Sequence, residues 1–135
     1  MKDKMLAFMA NHKYCVISTV GTDSKPESAF VAFSNDNLDL FIGTSSNSRK
    51  FQNLLANPSV AVVIADEFGE VQYEGQANVV DPTNSSEIEA RHTAKIPGSD
   101  KFRNDPTQQY VHIKPTWIRF IEHGDPDRSE HFTEF

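Results

Sequence analysis

The residues best suited to chemistry stand together in Thr44-Ser45-Ser46-Asn47-Ser48-Arg49-Lys50. Phe51, Leu54 and Leu55 follow at helical spacing, which predicts a short amphipathic helix capped by Ser46, Asn47 or Ser48. Arg49 and Lys50 then fall in its first turn, where the positive end of the helix dipole makes each cation cost about 0.3–1 kcal/mol. The same turn exposes backbone N–H groups that have no partner inside the helix. Free donors, hydroxyls, a guanidinium and an ammonium at one point form an anion site, most naturally for a phosphate. The competing reading is a solvated helix start whose charges cost little.

Other candidates carry weaker patterns. Arg91 and His92 lie in a predicted helix with Glu87 and Glu89, a setting that favours surface ion pairing. His112, His123 and His131 are irregularly spaced, without a short ligand pair, so no metal site is expected. Cys15 sits in an apolar run and reads as packing. Trp117 reads as a core or interface aromatic, with a stacking wall for a planar ring as the alternative. The chain has no GxSxG, no P-loop and no GxGxxG.

The elements that must position these residues are mostly strands. A helix is expected over residues 2–11, then strands over 14–20, 28–33 and 38–42, the short helix ending at Asn57-Pro58, and a strand over 60–65. The cleanest alternation follows, with Val71, Tyr73, Gly75, Ala77 and Val79 on one face. A helix is expected over 83–96 and a polar loop over 98–108. Residues 110–121 read as two strand pieces joined at Lys114-Pro115, and the tail 122–135 as irregular. Six short strands joined largely by tight turns predict a mainly β chain, an antiparallel barrel with flanking helices in a single domain of residues 1–135. Ala29-Phe30-Val31-Ala32-Phe33 and residues 60–65 lack polar alternation. One face fills the barrel and the other needs a partner, so a homodimer is expected.

Composition narrows the partners. Thirteen Lys and Arg against nineteen Asp and Glu give a formal charge of −6, a poor match to nucleic acid or anionic membrane. No apolar run approaches membrane-spanning length, and a lone cysteine allows no intrachain disulfide, so a cytoplasmic location is the default expectation.

The segment Phe41-Ile42-Gly43-Thr44, Ser48-Arg49-Lys50 and Asn57-Pro58-Ser59-Val60 resembles the FMN-binding split barrels related to pyridoxamine 5′-phosphate oxidase, in their general-stress-protein-like branch. Gly75-Gln76-Ala77 is similar to the Gly-x-Ala of the strand that follows in that family. The resemblance covers residues 12–81 well and the remainder loosely. It implies a six-stranded split barrel with FMN as cofactor. Arg49 and Lys50 would hold its phosphate, with Thr44 and Ser48 adding hydroxyls beside Gly43. Backbone groups of Ser28, Ala29, Phe30, Val31, Ala32 and Phe33 would line the isoalloxazine ring. The ring would lie at a dimer interface, with Glu70 reaching it from the second subunit and Trp117 near the ring or the contact. Family oxidases acting on pyridoxamine phosphate carry Arg and Lys along the second strand, where this chain has Ser28 and Phe33. A Gln common at the Glu70 position is also missing, and His123, Arg128 and His131 echo the family's C-terminal substrate segment only in composition. The implied function is a flavin oxidoreductase acting on a small molecule or electron donor other than a vitamin B6 phosphate. No catalytic residue is placed. The alternative is a non-catalytic module for flavin, deazaflavin or haem on the same barrel.

Overall fold

The computed structural model describes residues 1–135. Helix α1 (Lys2–Ala10) precedes strands β1 (Tyr14–Val20), β2 (Pro26–Asp36) and β3 (Asp39–Ser45). Helix α2 (Arg49–Ala56) leads to β4 (Ser59–Asp66) and β5 (Gly69–Val79). Helix α3 (Ser86–Lys95) is followed by β6 (Gln108–Glu122) and β7 (Arg128–Phe132), with short 3₁₀ turns at Pro82–Asn84 and Ser99–Phe102.

The strands run in the order β3-β2-β1-β4-β5-β6-β7, all antiparallel, and β3 also pairs with β6. Six strands therefore close into a barrel, and β7 is an extra strand outside the closure. Inside are Ile17, Phe33, Leu40, Ile42, Ile64, Val71, Ile113, Ile118 and Phe120, while Met5 and Met9 of α1 pack into the same core. Tyr73 is buried too, and its hydroxyl is satisfied by the carbonyls of Leu38 at 2.7 Å and Ile113 at 3.1 Å.

Two expectations need correction. First, residues 110–121 are not two strand pieces but part of one long strand. β6 pairs with β3 through residues 108–113 and with β7 through residues 118–122, on the same edge. Pro115 sits between those two partners, where its missing N–H breaks no ladder bond on that side. Opposite lies Gly75, where a Cβ would meet the Lys114 carbonyl at 2.5 Å; the register shifts there by one residue, a bulge that lets the strand pass. Second, the tail is not irregular, since Arg128–Phe132 forms β7. Within the chain, β2 and β4 each leave their outer face open. Phe30 is 72% exposed, and Ala61 and Ala65 face outward. The alternation absent from the sequence is present in the burial.

Candidate functional site

The loop between β3 and α2 is built by its own hydroxyls. Ser48 caps α2, its Oγ accepting from the Phe51 N–H at 3.2 Å and donating to the Ser45 carbonyl at 2.9 Å. With that hydrogen committed, Thr44 must be the donor in its 3.0 Å contact with Ser48 Oγ. Both hydroxyl hydrogens are thus used to set the loop. The first helical N–H groups, those of Arg49 and Lys50, are left over for a ligand or water. Phe51 and Leu54 anchor the helix in the core, whereas Leu55, expected on the same face, is 57% exposed.

The two cations part company. Consecutive helical residues point about 100° apart, and Arg49 and Lys50 face different clefts. Lys50 lines a cleft of about 460 Å³ between β2–β3 and the segment that runs from α3 to β6. Phe30, Val31, Gly43 and Thr44 line it from β2 and β3, and His92, Lys101, Phe102 and Asp105 from the α3-to-β6 segment. Gly43 lets the Gln108 amide pack close, because a Cβ there would meet it at 2.7 Å. Lys50 forms no ion pair. Arg49 lines a second cleft of about 560 Å³, bordered mostly by polar side chains including Ser28, Ser48, Lys25 and Gln52. Its Nε lies 3.1 Å from Glu27 Oε1, in a salt bridge whose arginine side chain is 81% exposed. The Asn53 amide donates to the other Glu27 oxygen at 3.0 Å, and to Thr19 at 3.1 Å.

Other candidates fall elsewhere. Phe33 and Ala29 point into the core, whereas Phe30 stacks on Tyr14 at 5.0 Å on the outer face. Glu70 and Trp117 lie on the outer faces of β5 and β6, away from both clefts. Trp117 is grouped there with Val16, Ala61, Val63 and Glu74. His112 bonds Asp39 at 2.6 Å and stacks on Phe41, His123 lies 3.6 Å from Asp127, and His131 is exposed on β7.

Sequence reasoning missed His92. It is not a surface partner of Glu87 or Glu89; it is 4% exposed, with Nδ1 3.0 Å from Oγ of buried Ser34. Arg91 pairs with Asp36 at 3.5 Å, and Arg103 takes Glu89. The four-residue spacing of Ile88, His92 and Ile96 was the available signal, since it places the histidine on the apolar stripe of α3. Burial, helped by the Lys95 ammonium, holds the imidazole below its ordinary value and favours the neutral form. Lys95 itself is pushed down to about 8 by burial, partly opposed by Cys15. Its Nζ lies 3.6 Å from the Phe33 ring centroid and donates to the Met9 carbonyl at 3.2 Å. Burial raises the Cys15 thiol to about 12, so it is no nucleophile at neutral pH.

A closed six-stranded antiparallel barrel with flanking helices is the arrangement of a split-barrel protein. The family model described as pyridoxamine 5′-phosphate oxidase matches residues 1–122, and the chain belongs to that family. It is 27% identical over 131 residues to General stress protein 26 of Bacillus subtilis (strain 168), covering 93% of this chain and 91% of that protein. Among solved structures it resembles General Stress Protein 26 of Bacillus anthracis str. Sterne, with TM-score 0.78, 24% identity and 98% of both chains covered. It also resembles a heme binding protein of Mycobacterium smegmatis, with TM-score 0.84 and 14% identity, over 98% of this chain and 57% of the other. No helix is long and apolar enough to cross a membrane.

Proposed function

We propose that this chain is a cytoplasmic FMN-binding flavoprotein, an oxidoreductase on a small molecule or electron donor, with the flavin at a homodimer interface. The observation that carries the reading is Lys50, an unpaired cation at the N-terminus of α2, opening onto a cleft walled by residues 30–32 of β2. The chemistry of the donors fits FMN. An ammonium and the free N–H groups of the first helical turn suit a phosphate, and Arg49 stands on the adjoining side. The edge of β2 over residues 28–32, which pairs with β1 but not with β3, suits a flat ring.

When bound, the flavin supplies hydride and electron transfer. The chain's residues bind and orient it. Thr44 and Ser48 hold the loop, Lys50 neutralises the phosphate, and the β2 backbone offers hydrogen bonds along the ring. The outer apolar face, with Phe30, Tyr14, Val16, Ala61, Val63 and Trp117, is the surface a second copy would cover. Covering it would also bring Glu70 and Trp117, remote from the clefts of their own chain, to the partner's site.

The test is spectral. The purified protein should be yellow or bind FMN, and the double substitution Arg49→Ala with Lys50→Ala should abolish binding; unchanged affinity would remove the phosphate assignment. Haem binding is the second reading, on the likeness to the Mycobacterium smegmatis protein. A Soret band on adding haemin, lost on substitution of His112, His123 or His131, would favour it.

A further inference from the structure

Ser34 and His92 are both buried, and each is the other's sole side-chain hydrogen-bond partner. That isolation sets the tautomer. A buried hydroxyl left without an acceptor costs about 1–3 kcal/mol, and the acceptor beside Ser34 Oγ is Nδ1 of His92, 3.0 Å away. Ser34 therefore donates, and the proton of the neutral imidazole resides on Nε2. No buried polar side-chain atom lacks a partner. Since Nε2 has none within the protein, it reaches open space, and the cleft holding Lys50 is the space His92 lines. The contact of His92 with Tyr110 is ring on ring, centroids 5.8 Å apart and near perpendicular, so it sets the imidazole plane without using a nitrogen.

We propose that His92 presents a fixed Nε2–H donor to the cleft and bonds an acceptor atom, a carbonyl oxygen or ring nitrogen, of the planar ligand held there, with Ser34 as its positioning residue. This rests on the flavin reading of the cleft and adds a recognition element from α3, packed against Ser34 of β2. It makes recognition two-part: Lys50 reads the phosphate, and His92 reads the ring. The two are separable because riboflavin has the ring and no phosphate.

The experiment titrates wild type, His92→Phe and Ser34→Ala with FMN and with riboflavin, alongside long-range ¹H–¹⁵N spectra of the wild-type imidazoles. Free wild type should show His92 protonated at Nε2, and its resonances should move as FMN is added. His92→Phe, which keeps a ring in place, should weaken FMN and riboflavin alike by about tenfold, the worth of one hydrogen bond of about 1.4 kcal/mol. Ser34→Ala should loosen the tautomer and produce a smaller loss on both. An Nδ1-protonated His92, or resonances unmoved by bound FMN, overturns the assignment even if a variant fails to fold. So does a His92→Phe protein that binds both flavins as wild type does, or that loses only FMN. If wild type binds neither flavin, the flavin reading falls first and the His92 assignment with it.

Discussion

Arg49 and Lys50 are neighbours in sequence with opposite circumstances in space. Arg49 points into a mainly polar cleft, mostly exposed, with its charge matched by Glu27, a carboxylate held in turn by Asn53. Lys50 is half-buried, forms no ion pair, and faces a cleft of mixed lining, where Phe30, Val31 and Phe102 stand with Lys101, Asp105 and Gln108. An exposed ion pair is worth about 0–1 kcal/mol in water, so Glu27 restrains Arg49 more than it stabilises the fold. An unpaired, half-buried ammonium has more to gain from an incoming anion than a guanidinium already matched by a carboxylate. Of two adjacent cations, the one the protein leaves unneutralised is the better guide to the ligand.

Ways to break that contrast begin with the support beneath both residues. Leu54→Ala removes a buried anchor of α2 and should cost about 2–5 kcal/mol by denaturant melts, weakening both cations together. Lys50→Ala should lose a charge-assisted contact of about 1.5–3 kcal/mol, a roughly 10- to 100-fold weaker FMN affinity with riboflavin unaffected. Arg49→Ala should cost less, within about 1 kcal/mol, measured in the same titration. Glu27→Gln should move FMN affinity in the opposite direction to Arg49→Ala, since it frees the guanidinium for phosphate; a weaker FMN affinity would instead make Glu27 a support for Arg49.

A last comparison uses pH. Burial lowers Lys95 from its ordinary 10.5 to about 8 in the fold. Between those values the unfolded chain binds a proton at Lys95 that the folded chain has released, so Lys95 contributes a rise in stability with pH, which the raised Cys15 thiol opposes above its ordinary 9. Lys95→Met should flatten that rise in urea midpoints measured at pH 8 and pH 10. An unchanged slope would mean that the contact with Phe33 holds the ammonium charged.

The strands and α2 were legible because each is a local pattern: alternation, a cap, and Asn57-Pro58 as a stop. The divergence of Arg49 and Lys50 follows from helix geometry alone, but the pairing with Glu27 depends on β2 passing beside α2, which no local pattern encodes. β7 was missed because Arg-Ser-Glu-His-Phe is an edge strand exposed at all but Phe132, so it carries no apolar alternation. β6 read as two pieces because Pro115 normally breaks a strand, and its tolerance depends on Gly75 and the gap between β3 and β7. His92 was misread because its neighbours in sequence are charged, while its neighbours in space are Ser34, Tyr110 and the cleft.

The central claim is that the cleft beside Lys50 takes FMN and recognises its phosphate there. The direct test is the ratio of FMN to riboflavin affinity, by absorbance titration, in wild type, Lys50→Ala and Arg49→Ala. The account predicts a large preference for FMN in wild type, nearly lost in Lys50→Ala and largely kept in Arg49→Ala. Equal affinity for the two flavins in wild type, or a preference that survives Lys50→Ala intact, would contradict it.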